Sequence, residues 1–172
     1  MPATADDQGQ FQIKNISSPC LVSIFGNQAW TLKSVMLNGV DITDRPIEPA
    51  GKPISGLELT MTNRASTLTG TVNTAQDQPA KEYTVIVFPE EPQRWQSPLS
   101  GRYLRQARPD QTGTFKLLGL PPGRYLVAAF ENIEDGSSRD PEFLTQVQSR
   151  ATRVELSEGG TQTVSLKLLE NH

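Results

Sequence analysis

Asp110-Gln-Thr-Gly-Thr-Phe-Lys-Leu-Leu-Gly-Leu-Pro-Pro-Gly-Arg-Tyr-Leu-Val-Ala-Ala129 is the stretch whose reading decides the fold. An aspartate at the head of such a run accepts hydrogen bonds from the backbone two residues on, and Gly113 supplies the positive φ that closes a tight reversal. Beyond Gly113 the apolar positions alternate, which puts Phe115 and Leu117 on one face of a strand. Gly119-Leu-Pro-Pro-Gly123 makes a second stiff turn, and Tyr125, Val127 and Ala129 continue as another strand. Two strands and two turns are specified within about twenty residues, the signature of a hairpin.

The same punctuation extends outward. Thirteen prolines and thirteen glycines in 172 residues leave apolar-rich runs of about five to eight residues, the spacing of an all-β chain. Leu68-Thr-Gly70-Thr-Val72 alternates. Tyr83-Thr-Val-Ile-Val-Phe88 is apolar on both faces and reads as a central strand. Thr152 to Leu156, the turn Ser157-Glu-Gly-Gly160 and Thr163 to Leu169 read as a closing hairpin. One helix is expected over about 141–149, with Asp140 as its cap, Pro141 in its first turn, Glu142 at the positive end of its dipole, and Phe143, Leu144 and Val147 at helical spacing.

Upstream lies a weaker copy. Asp6-x-x-Gly9-x-Phe11-x-Ile13-x-x-Ile16 aligns with Asp110-x-x-Gly113-x-Phe115-x-Leu117-x-x-Leu120, and Leu57-x-Leu59-x-Met61 aligns with Val164-x-Leu166-x-Leu168. Between them, Trp30 to Leu37 is strand-like, Asn38-Gly39 is the preferred pair of a type I′ turn, and Val40-Asp-Ile42 returns. Residues 1–62 therefore read as a β unit that lacks its first strands, and 63–172 as a complete one. An incomplete unit leaves a sheet edge that invites pairing with a second copy.

Composition narrows the function. The net charge is −3, which disfavours nucleic acid as a partner because phosphate recognition needs a concentrated positive field. No apolar run approaches the roughly 20 residues of a membrane span, and Met-Pro-Ala-Thr-Ala-Asp-Asp has neither the basic flank nor the apolar centre of a signal peptide. The only histidine, His172, is the last residue and is poorly placed to act as a general base. Cys20 sits in an apolar run and reads as a small buried hydrophobe. Glu90-Glu91, and Glu131, Glu134 and Asp135, read as solvated loop charges. Glu131, Asn132, Glu134, Asp135 and Asp140 offer oxygens to calcium, in an order that lacks a calcium-loop pattern. No catalytic residue, metal or cofactor is expected. The candidate ligand-binding residues are Trp95 and Tyr103, which flank a Pro-rich loop over 89–101, with Arg102 and Arg105 beside them. Exposed rings there would stack on sugars or on a protein partner, whereas buried ones would cover an end of the fold. Arg94, Arg102, Arg105, Arg108 and Arg124 form a basic patch or pair with Glu90 and Glu91.

Leu68-x-Gly70-x-Val72, Gln78-Pro79, Tyr83-Thr-Val85-Ile-Val87, and Asp110-x-x-Gly113-x-Phe115-x-Leu117-x-Gly119-Leu-Pro-Pro-Gly123-x-Tyr125 together resemble the carboxypeptidase regulatory-like domain. The resemblance covers most of 65–169 and implies a transthyretin-like antiparallel β-sandwich of about seven strands. Residues around Trp30-Thr-Leu-Lys and Asn38-Gly-Val-Asp-Ile-Thr-Asp44 resemble the preceding unit of multi-unit bacterial proteins of this kind. The resemblance implies a non-catalytic accessory or spacer module of a longer extracytoplasmic protein. Its partners would be other domains, a protein or a polysaccharide. The 89–101 loop and the 131–150 excursion depart from the family pattern.

Overall fold

A computed structural model describes residues 3–24, 30–49, 51, 53–95 and 100–170. His172 lies outside them. The chain divides into two compact units, residues 1–28 with 32–62, and residues 63–172 with 29–31.

In the N-terminal unit, β1 (Thr31–Leu37) and β2 (Val40–Asp41) pair antiparallel, with Leu37 opposite Val40. Asn38 and Gly39 join them at φ of 49° and 80°, the left-handed pair that matches strand twist in a type I′ turn. β3 (Leu57–Thr62) lies on the other side of β1. The core is thin: among the described apolar residues of this unit only Val35 and Ile47 are buried, while Val40, Ile54 and Met61 are exposed.

The C-terminal unit contains β4 (Thr67–Asn73), β5 (Thr84–Pro89), a short helix α1 (Ser100–Tyr103), β6 (Arg105–Ala107), β7 (Thr114–Leu118), β8 (Gly123–Phe130), α2 (Pro141–Val147), β9 (Thr152–Leu156) and β10 (Thr161–Leu169). Two sheets face each other. One runs β7-β4-β10 and the other β6-β5-β8-β9. They are stitched where Leu168 and Leu169 of β10 pair with Ala129 and Phe130 of β8. Leu68 and Val72 from the first sheet, with Phe115, Leu117 and Leu166, meet Val85, Val87, Tyr125, Val127, Val154 and Leu156 from the second in one buried core. This is an antiparallel-rich β-sandwich in which β10 makes the parallel pairings, a long ladder with β4 and a short one with β8. Gly70 is required at its centre, because a Cβ there would collide with the Val164 carbonyl and press on the Phe115 ring.

Two expected hairpins turn out to be crossings between sheets. The turn at Asp110 forms as expected: Gly113 N–H donates to Asp110 O at 3.0 Å with φ at 79°, and the Asp110 carboxylate accepts from Thr112 N–H and Thr114 N–H at 2.8 and 3.1 Å. The strands on either side of the Gly119–Gly123 turn pair elsewhere, however, β7 with β4 and β8 with β5. Ser157–Gly160 likewise leads from β9, which pairs with β8, to β10, which pairs with β4. The reason is burial. Phe115 and Leu117 must face Tyr125 and Val127 across a layer, whereas a hairpin would set them side by side with nothing to cover them. The Leu-Pro-Pro segment cannot continue a ladder, since proline has no N–H. It is pinned instead by Ser66 Oγ–H donating to Leu120 O at 2.6 Å and Tyr125 O–H donating to Pro121 O at 2.7 Å.

The upstream Asp6-x-x-Gly9 motif forms the turn without the strand. Gly9 has φ at 76°, its N–H donates to Asp6 O at 2.9 Å, and the Asp6 carboxylate accepts from Gln8 N–H and Gln10 N–H at 2.9 and 2.8 Å. These are the bonds of the Asp110 turn, one for one. Yet residues 10–17 form no strand, and Phe11 is half-buried where Phe115 is fully buried. Phe115 has Gly70 of β4 opposite it, and among the described residues no strand precedes Thr31.

The expected helix forms as α2, ending at Val147, with the Asp140 carboxylate accepting from Glu142 N–H at 2.9 Å. Among the described residues no helix is long and apolar enough to cross a membrane.

Candidate functional site

The site begins with strand alternation on β5 and β8. Val85, Val87, Tyr125, Val127 and Ala129 face the sandwich interior, so Ile86, Phe88, Leu126, Ala128 and Phe130 must face outward. Five apolar side chains on an outer face need a cover, and residues before β6 and between β8 and β9 supply it. Leu144 and Val147 of α2, with Ile133, Phe143 and Ala151, pack on this face from one side, and Trp95 and Leu104 from the other. The Phe130 and Phe143 rings sit 5.5 Å apart.

The first part of the Pro-rich loop, Pro89 to Trp95, is therefore used internally. After Pro89 the chain makes a single 3-10 turn at Pro92–Arg94, which lays the Trp95 indole edge-on to Phe88 with ring centres 5.6 Å apart. The indole N–H donates to Pro89 O at 2.8 Å, which satisfies the one polar atom that burial would strand. Trp95 is 3% exposed and Tyr103 5%. Of the two alternatives, exposed rings that stack on a ligand and buried ones that cover the fold, both rings take the second.

They are also on opposite sides of the sheet. Trp95 belongs to the outer layer and Tyr103 to the sandwich core. β6 pairs with β5 so that Arg105 lies opposite inward-facing Val87 and Gln106 opposite outward-facing Ile86. Arg105 thus shares the Tyr103 side, while Gln106 donates from Nε2 to Ser138 Oγ on the outer side. The guanidinium groups of Arg94 and Arg102 lie 4.9 and 5.5 Å from the Tyr103 ring centre, within cation–π range. Of the four candidate residues, Arg102 meets the Tyr103 ring, Arg105 lies on the same face of the sheet and borders the cleft beside β6, and Trp95 lies on the other face. An open cleft of about 460 Å³ borders the same edge, lined by Gly101, Leu104, Gln106, Ser138 and Arg139 among others. Nothing in the sequence signals that Ser138 and Arg139 return to β6.

The basic residues are distributed among acids. Arg94 Nε meets Glu91 Oε2 at 2.8 Å, and Glu90 takes both Arg124 at 3.4 Å and Arg153 at 3.0 Å. Cys20 exchanges backbone bonds with Ile47, N–H to O at 3.1 and 2.7 Å, and is half-buried. Among the described residues no three of His, Cys, Asp and Glu converge as metal ligands would. Two groups are shifted by the fold. Burial, and then the nearby Asp110 charge, raise the Tyr83 hydroxyl, which donates to Gly113 O at 2.8 Å. The Thr112 hydroxyl, and then the amides of Thr114 and Thr112, lower the Asp110 carboxyl.

No family model and no curated protein matches the chain. Among solved structures it is similar to the TIE protein of Bacillus anthracis at 15% identity and TM-score 0.39, covering 64% of this chain and 19% of that one. A putative carbohydrate binding protein from Pseudomonas aeruginosa is similar at 15% identity and TM-score 0.35, with 59% and 87% covered. The minor pilin GBS52 of Streptococcus agalactiae is similar at 12% and 0.36, with 74% and 59% covered. The chain thus spans less than two thirds of the first and the third. With scores this low, function is argued from this chain's own residues.

Proposed function

We propose that the chain is a non-catalytic structural and interaction module, a spacer within a larger extracytoplasmic bacterial protein. The observation that carries this reading is the placement of the first and last strands of the C-terminal unit. β4 and β10 are parallel neighbours over seven consecutive register pairs, Thr67 with Thr161 through Asn73 with Lys167. Tension along the chain pulls Thr67 and Leu169 in opposite directions along that ladder. The bonds are then loaded together in shear rather than opened one at a time, a geometry suited to a segment that holds other parts of a protein apart.

The carboxypeptidase regulatory-like resemblance supports this reading, and the matching Asp6 and Asp110 turns support 1–62 as a second unit of the same type. Single-molecule force measurement tests it. Pulled between its ends, the 63–172 unit should rupture cooperatively at a much higher force than when pulled between Glu90 and Arg124, where the antiparallel β5–β8 ladder opens pair by pair. Equal forces in the two geometries would overturn the reading. Carbohydrate binding through Trp95 and Tyr103 is the second reading, and the burial of both rings weighs against it. Retention on a polysaccharide, lost in Trp95→Ala while the variant remains folded, would favour it.

A further inference from the structure

Sheets end in strands with unpaired backbone groups, and the charges on those strands decide whether two copies can join there. The described edge strands are β2, β3, β6, β7 and β9. β2 carries only Asp41, β3 only Glu58, β6 only Arg105 and β7 only Lys116. β9, Thr152-Arg-Val-Glu-Leu156, alone carries both signs, and its exposure pattern puts Arg153 and Glu155 on the solvent face while Val154 and Leu156 face the core. The two charges are symmetric about Val154. In an antiparallel pairing of two β9 strands centred on Val154, Arg153 of each copy lies directly opposite Glu155 of the other.

The rest of the sheet leads up to the same arrangement. Glu90 follows β5 and donates its N–H to Arg124 O, Arg124 of β8 is the register partner of Glu155, and the Arg124 guanidinium reaches Glu90 at 3.4 Å. Across three strands the solvent face therefore reads minus, plus, minus. Glu155 closes that row, and among the described residues it has no ion-pair partner of its own. Arg153 reaches Glu90 of its own chain at 3.0 Å in an exposed pair, which holds it weakly; turned toward a second β9, it is the next positive charge in register with Glu155.

We propose that β9 is a homodimer edge, joining two C-terminal units antiparallel about Val154 with reciprocal Arg153–Glu155 pairs. The joined sheet runs β6-β5-β8-β9 and then the same strands in reverse. Cross-strand opposite charges favour such a pair and like charges oppose it.

Sedimentation equilibrium of the full chain tests this, with thermal melting of each variant to confirm that it is folded. Wild type should show a concentration-dependent monomer–dimer balance. Glu155→Arg sets like charges opposite each other twice and should weaken the dimer about tenfold or more. Arg153→Glu with Glu155→Arg should restore it, because each new carboxylate again faces a new guanidinium. A wild type that stays monomeric, a dimer indifferent to Glu155→Arg, or a folded double variant without recovery would each overturn the proposal.

Discussion

Trp95→Ala separates a ring that builds the fold from one that waits for a ligand. The indole is almost fully enclosed, meets Phe88 edge-on and donates a 2.8 Å hydrogen bond to Pro89 O. Deleting a buried tryptophan costs about 3–5 kcal/mol, from lost apolar burial and the cavity left behind. Part of that arises because Pro89 O loses its donor. Trp95→Phe keeps a ring against Phe88 but strands the carbonyl, so a smaller loss of about 1–2 kcal/mol is expected. Urea unfolding followed by far-UV circular dichroism reads both. With a slope of about 1.5 kcal/mol per molar urea, Trp95→Ala should lower the midpoint of the C-terminal unit by about 2–3 M. The matched control is Trp30→Ala, whose side chain is 42% exposed and which should shift the midpoint far less. If Trp95→Ala changes stability by less than about 0.5 kcal/mol, the range of an ordinary surface substitution, the outer-layer role assigned to this loop is wrong.

Three further outcomes follow from the geometry. Gly70→Ala drives a methyl into the Val164 carbonyl and should cost about 2 kcal/mol or more in thermal unfolding; it should also lower the end-to-end rupture force, because the clash lies in the β4–β10 ladder. The Asp110 carboxyl titrates below its ordinary value in the folded chain, so its contribution is full above the unfolded aspartate range and is lost as pH falls through the lowered value. Asp110→Ala should remove that acid-side slope, seen in melting temperature against pH, whereas Asp6→Ala should leave the slope of the C-terminal unit intact. Tyr83 titrates above its ordinary value, so stability should hold below about pH 10 and decline above it as the unfolded chain ionises first. Tyr83→Phe should flatten that decline and cost about 1 kcal/mol at neutral pH, because Gly113 O loses its donor.

Much of this architecture is legible in the residues. The Asp-x-x-Gly turns, the Asn38-Gly39 turn, the Asp140 cap and the alternation of β4, β7 and β9 are local features, and local chemistry places them. Pairing is not local. Nothing within 110–129 says that β7 and β8 lie in different sheets, because that depends on Leu68 and Val72 arriving from forty residues upstream to share their core. The burial of Trp95 is not legible for a related reason. An aromatic in a Pro-rich loop reads the same whether it faces solvent or a sheet, and the deciding signal lay elsewhere, in the outward series Ile86, Phe88, Leu126, Ala128 and Phe130. A strand apolar on both faces demands two covers. The sandwich interior is one, and Trp95 and Leu104 with α2 are the other.

The central claim is that this second cover exists and that Trp95 is part of it. Acrylamide quenching in a Trp30→Phe background, where Trp95 is the only tryptophan, tests it most directly. The account predicts blue-shifted emission that acrylamide scarcely quenches until urea unfolds the C-terminal unit. Red-shifted emission, quenched in the folded chain as fully as in the unfolded one, would contradict it.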